Sequence, residues 1–226
     1  LSDIAFEIYP DQQLSAGVSE EWLRERITHS LASTIRDVER REHLARMLFS
    51  EFCGRNWIFV PAGSGGLEFS HRTFLEFFFA RRIYDEHPAS SDLISAFEEK
   101  ITSREWVVPL HLALEMAIRG KRGQSNRAAQ DFERIIIEID EASGISETEA
   151  IVNACNFISE AVSYLPCSEV FFERLVDVCF DNLVVKLVDS ESGPYFHITQ
   201  RFLKACPERR EFSQACFFRN IIENAE

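Results

Sequence analysis

The 226-residue chain is 46% hydrophobic and 12% aromatic, enough to bury one large core or two small ones. No apolar run reaches the eighteen or so residues of a membrane span, and the start, Leu-Ser-Asp-Ile-Ala, carries no basic-then-apolar leader. A formal net charge of -13 opposes non-specific binding to a nucleic-acid backbone. With no initiating Met, these features predict a cytoplasmic protein read as a piece of a longer polypeptide.

Ile4, Ala5, Ile8 and Tyr9 recur at helical spacing, and Pro10 follows as a stop. Ser19 is placed to cap a second helix with Glu20 and Glu21 in its first turn and Trp22, Leu23 and Ile27 facing inward. A third helix is expected over 38–53, with Leu44, Met47, Leu48 and Phe52 buried, Arg40, Arg41 and Arg46 outside, and Gly54 as its stop. Trp57–Val60 and Leu67–Phe69 flank a loop rich in Pro, Gly and Ser and read as a β-hairpin. Beyond it, Ser70–His71 turns into a closing helix whose Phe74, Phe77 and Phe78, widened by Phe79, predict a helix packed on several sides. Three helices, a hairpin and a closing helix make a winged-helix domain over 1–86.

After His87-Pro-Ala-Ser-Ser91 the pattern is helical only. Leu93, Ile94 and Phe97 mark one helix, and Thr102–Glu105 resembles a capping box opening another through Trp106, Leu110, Leu114 and Ile118. Gly120–Asn126 reads as a polar linker, followed by a helix bearing Phe132, Ile135, Ile136 and Ile139. Ser146–Glu149 is a second capping-box pattern ahead of Ile151, Ala154, Ile158, Ala161 and Leu165. Pro166 breaks that helix; Ser168 opens one through Phe171, Leu175, Val178 and Val185; two more follow Gly193-Pro194, carrying Ile198 and Phe202, then Phe217, Phe218 and Ile221. Antiparallel helix pairs with no tight consensus predict a HEAT-like α-solenoid or irregular helical bundle over 90–226, so the fold class is mainly α.

His71, near the start of the closing helix, meets the helix N-terminal N–H groups, which favour an anion. The segment Glu-Phe-Ser-His-Arg-Thr-Phe-Leu-Glu-Phe-Phe-Phe-Ala-Arg-Arg resembles the one that closes the winged-helix domain of NACHT-type STAND NTPases, with Phe69, His71, Thr73, Phe74, Glu76, Phe77 and Ala80 in register. Leu75 departs, since the family usually carries Gln there. The resemblance implies that His71 senses nucleotide by contacting the terminal phosphate of ADP. It also implies that the parent protein holds ADP or ATP and is a signalling or defence switch. Its partners would be an absent N-terminal NTPase domain and a protein or ligand sensed by the helical repeats. The stretch Ile101–Leu110 is similar to what often follows the winged helix in that family.

Catalysis by this chain is not supported. Gly-x-x-x-x-Gly-Lys-(Ser/Thr) does not occur; Gly120-Lys-Arg-Gly123 has the wrong spacing, and Gly63–Gly66 is explained by a hairpin tip. His111 and Glu115 stand one helical turn apart without a third ligand, and Glu42-His43 lacks a second histidine, so no metal site is expected. Cys53, Cys155, Cys167, Cys179, Cys206 and Cys216 have no zinc-ligand spacing and read as reduced thiols in apolar surroundings. The alternative class is a winged-helix DNA-binding regulator with a helical dimerisation or effector domain, its basic face built from Arg24, Arg26, Arg36, Arg40 and Arg41. Interleaved acids, with pairs such as Glu42–Arg46, argue for a solvated helix face instead.

Overall fold

The computed structural model describes residues 1–63, 65–120, 123–141, 145–166 and 168–187. Among them are eleven α-helices and one two-stranded antiparallel hairpin, so the protein is mainly helical. The chain divides into two compact units, Leu1–Glu86 and His87–Glu226. Among the described residues no helix is long and apolar enough to cross a membrane.

The first unit runs α1 (Ser2–Ile8), α2 (Gln12–Ser15), α3 (Glu20–Leu31), α4 (Val38–Ser50), β1 (Phe59–Pro61), β2 (Leu67–Phe69) and α5 (Arg72–Glu86). Short polar side chains start three of its helices by accepting from otherwise unpaired backbone N–H groups. Asp11 takes the N–H groups of Gln13 and Leu14 at 2.7 and 3.1 Å, Ser19 that of Trp22 at 3.1 Å, and Asp37 that of Arg40 at 3.0 Å. Ile4, Ile8, Val18, Leu23, Ile27, Ala45, Phe59 and Leu67 form the core between these elements. Phe79 fastens α5 to α1: its ring is fully buried, 5.4 Å from Phe6 and 4.4 Å from Tyr9, and burial of such a side chain stabilises by about 1.5–3 kcal/mol.

In the hairpin Phe59 faces Phe69, Val60 faces Glu68 and Pro61 faces Leu67. Val18 then pairs antiparallel with Leu67 on the other side of β2, its N–H and C=O exchanging bonds of 2.8 and 2.7 Å. A Cβ on Gly66 would lie 2.8 Å from the Val18 carbonyl oxygen, so glycine is required for that close approach.

Several expectations for this unit are corrected. α4 ends at Ser50 and continues as a π-helical turn, Glu51–Arg55, so Gly54 lies inside the turn and does not stop the helix. Met47 is exposed, and Ala45 is the buried residue of α4, flanked by partly buried Leu44, Leu48 and Phe52. Trp57 lies outside the hairpin strands, with a φ of 51°. On α5 the buried face is Glu76, Phe79, Ala80 and Ile83, while Phe74 and Phe77 are exposed. The helix is therefore packed along one stripe, not on several sides.

The second unit contains α6 (Ser90–Ala96), α7 (Glu98–Thr102), α8 (Val107–Gly120), α9 (Gln124–Glu141), α10 (Ile145–Ala161), a 3-10 turn (Val162–Tyr164) and α11 (Glu169–Leu187). Helix α9 is central, touching α6, α8, α10 and α11, and it buries Ala128, Ala129, Phe132, Ile135 and Ile136. Gln124, expected in a polar linker, opens α9 as a buried residue. Its side-chain oxygen accepts from the N–H and Oγ of Ser90 at 2.9 and 2.7 Å, and its carbonyl accepts from that Oγ at 2.9 Å.

Thr102–Glu105 is not a capping box. Thr102 ends α7 with its hydroxyl donating back to the Glu98 and Glu99 carbonyls, and Glu105 pairs with Lys100 at 2.7 Å. Ser146 lies within α10 rather than ahead of it. Among the α11 residues whose side chains are described, Phe172, Leu175, Val176 and Cys179 are buried and Phe171 and Val178 partly covered; the expected Val185 lies outside them. Gly193-Pro194, the two last expected helices, Cys167, Cys206 and Cys216 lie outside the described residues.

Replacing Gly66 by Ala is expected to destabilise the first unit by about 1–3 kcal/mol through the collision with Val18. Hydrogen exchange provides the check, since the amides of Val18 and Leu67 should both lose protection.

Candidate functional site

The corner between β2 and α5 carries the candidate site. The Ser70 N–H donates to the Ile58 carbonyl at 2.9 Å, continuing the hairpin pairing one step beyond Phe59–Phe69. The His71 carbonyl accepts from the Phe74 N–H at 3.0 Å, closing the turn into α5.

His71 is exposed, its ring centroid 5.8 Å from that of Phe74. Among the described residues no hydrogen-bonding side chain claims its ring. An imidazole beside the first turn of a 15-residue helix can donate to an anion, with the helix dipole in support. Arg72, next in the chain, is largely solvent-exposed, and its Nε donates to the Glu76 carboxylate at 2.9 Å. Hydrogen bonds to Glu76 and Tyr9 hold the Arg72 guanidinium above its ordinary pKa, while burial pushes the Tyr9 phenol up.

The residues of the sequence motif divide into two groups. Phe69 is partly covered, 4.4 Å from the Phe59 ring; Ala80 is buried; and Glu76 is buried with its carboxylate on Arg72. These three serve packing and the ion pair. His71 and Thr73 are exposed, as are Phe74 at 39% and Phe77 at 44%, so all four face solvent at the start of α5. Trp57, at 70%, is also exposed. A residue read as strand from its β-propensity gave no sign of this; the clue available was its position directly after Gly54-Arg-Asn56.

The arginines of α3 and α4 form a second surface. Arg24, Arg46, Phe49, Ser50, Cys53 and Gly54 line an open groove of about 740 Å³. The Arg24 guanidinium lies 4.3 Å over the Phe49 ring and pairs with Glu20 at 3.1 Å, and Arg26 pairs with Glu7 at 2.8 Å. The expected Glu42–Arg46 pair is not formed among the described ion pairs. The Cys53 thiol is pushed up by burial, which suppresses thiolate chemistry.

His111 does not pair with Glu115 either, since Glu115 turns to Arg119 at 2.5 Å. Instead His111 stacks on Phe157 at 3.9 Å, with Nδ1 against the Tyr164 hydroxyl. Its Nε2 lies 3.2 Å from a Glu160 oxygen without an aligned hydrogen bond. No group of three or more His, Cys, Asp or Glu that could hold a metal occurs among the described residues. Cys155 and Cys179 are buried free thiols side by side, and burial drives the Cys179 thiol well above its usual range.

Comparison with known proteins adds no likeness: no protein-family model, no curated protein and no solved structure matches the chain.

Burial also drives the Tyr164 phenol well above its usual range. A folded-state pKa raised in this sense leaves stability intact below about pH 10 and loses it above, where the unfolded tyrosine ionises and the folded one does not. Tyr164→Phe should remove this alkaline loss while costing about 1–2 kcal/mol at neutral pH, because the His111 Nδ1 loses its partner. Denaturant unfolding between pH 7 and 11 measures both effects.

Proposed function

We propose that this chain is the regulatory, sensor-proximal part of a NACHT-type STAND NTPase. In this reading residues 1–86 are a winged helix that closes over nucleotide held by a preceding NTPase domain. The succession of α1, the Val18 bridge, α3, α4, the β1–β2 hairpin and α5 supports a winged helix, in which a short strand between the first two main helices pairs with the hairpin. The central place of α9 favours an irregular helical bundle for the second unit over an open solenoid. That unit would recognise the activating ligand or partner. Phosphoryl transfer would belong to the preceding domain, because this chain has neither a loop lysine nor the hydroxyl that follows it.

One observation carries the reading. The apolar motif residues Phe74 and Phe77 are exposed beside exposed His71, while Phe79, Ala80 and Ile83 supply the core face of α5. Aromatic residues not used by the unit's own core fit a face that meets a partner. The partner implied by a free imidazole at a helix start is anionic. His71 would donate to the terminal phosphate of ADP and hold the winged helix closed. Loss of that contact would release it, a two-state change biased by a few differential contacts. The competing DNA-binding reading has less support, since Arg24 and Arg26 of its basic face are already paired with carboxylates.

In the full-length protein His71→Ala is expected to speed release of a fluorescent ADP analogue by about 10–100-fold, the equivalent of roughly 1.5–3 kcal/mol, and to raise the self-associated fraction. Stopped-flow displacement and mass-resolved light scattering read the two quantities. Unchanged release together with an unchanged size distribution would refute the role given to His71.

A further inference from the structure

We draw no further inference here: the strongest candidate, the open groove where α3 and α4 meet the π-helical turn, lined by Arg24, Arg46, Phe49, Cys53 and Gly54, has its Arg24 already paired with Glu20, and nothing in the structure shows what covers it.

Discussion

Two backbone hydrogen bonds between Val18 and Leu67 are the constraint on which the first unit turns. They fasten the link between α2 and α3 to the outer side of β2, and β1 closes the other side. With β2 held on both flanks, the chain can leave it at Ser70 in one direction only, into α5. The position of His71 follows from that pairing: it is the residue between the last hairpin bond and the first helical turn. Gly66 belongs to the same constraint, since only a residue without Cβ lets the hairpin tip approach the Val18 carbonyl so closely.

Given that anchorage, α5 divides its aromatic residues by the pitch of the helix. Phe79 lies three residues beyond Glu76 and four before Ile83, so these positions share the stripe facing α1. Phe74 and Phe77 are rotated away from it and remain in contact with solvent. The buried stripe accounts for stability. The outer pair is only partly covered and lies at a surface corner where His71 is also exposed. The buried positions of α5 thus lie along one stripe of the helix, and the two outer rings lie off it.

Much of this was legible in the residues. Ser19, three positions before the N–H it captures, announced α3, and the paired strands around the Gly-rich loop announced the hairpin. Helical spacing correctly placed Phe132, Ile135 and Ile136 inside α9. Where the reading went astray, two structures shared one local pattern. Thr102 to Glu105 has the spacing of a capping box, yet the threonine hydroxyl turns backward to finish α7, because Glu105 is taken by Lys100. Gln124 sits among polar residues and is buried all the same, since Ser90 offers both a backbone and a hydroxyl donor to its side chain. A phenylalanine run without gaps could not say which rings face inward, because that depends on where α1 lies. Nor could Trp57 be read as exposed: β-propensity describes a half-buried pleated surface, and the π-helical turn that precedes it removes the pleat.

The charges of the first unit bear on the DNA-binding alternative. All its basic side chains are arginines, and most of those in α3 and α5 are committed: Arg24 to Glu20, Arg26 to Glu7, Arg72 to Glu76, Arg81 to Asp85, and Arg82 to Asp3 and Glu86. Except for Arg72–Glu76, whose carboxylate is buried, these are largely exposed pairs that add little to stability, about 0–1 kcal/mol each, but all of them offset positive charge. Of the arginines that a duplex would need on this unit, Arg41 reaches the Ile35 carbonyl, which leaves Arg36 and Arg40 uncommitted among the described residues, with exposed Glu39 and Glu42 beside them. Binding to a phosphate backbone draws its strength from many simultaneous contacts, each releasing a counterion, and two guanidinium groups hemmed in by carboxylates supply few. A single phosphate terminus asks for much less: one imidazole at a helix start, with apolar contact beside it. The corner at His71 holds an exposed imidazole beside the exposed rings of Phe74 and Phe77.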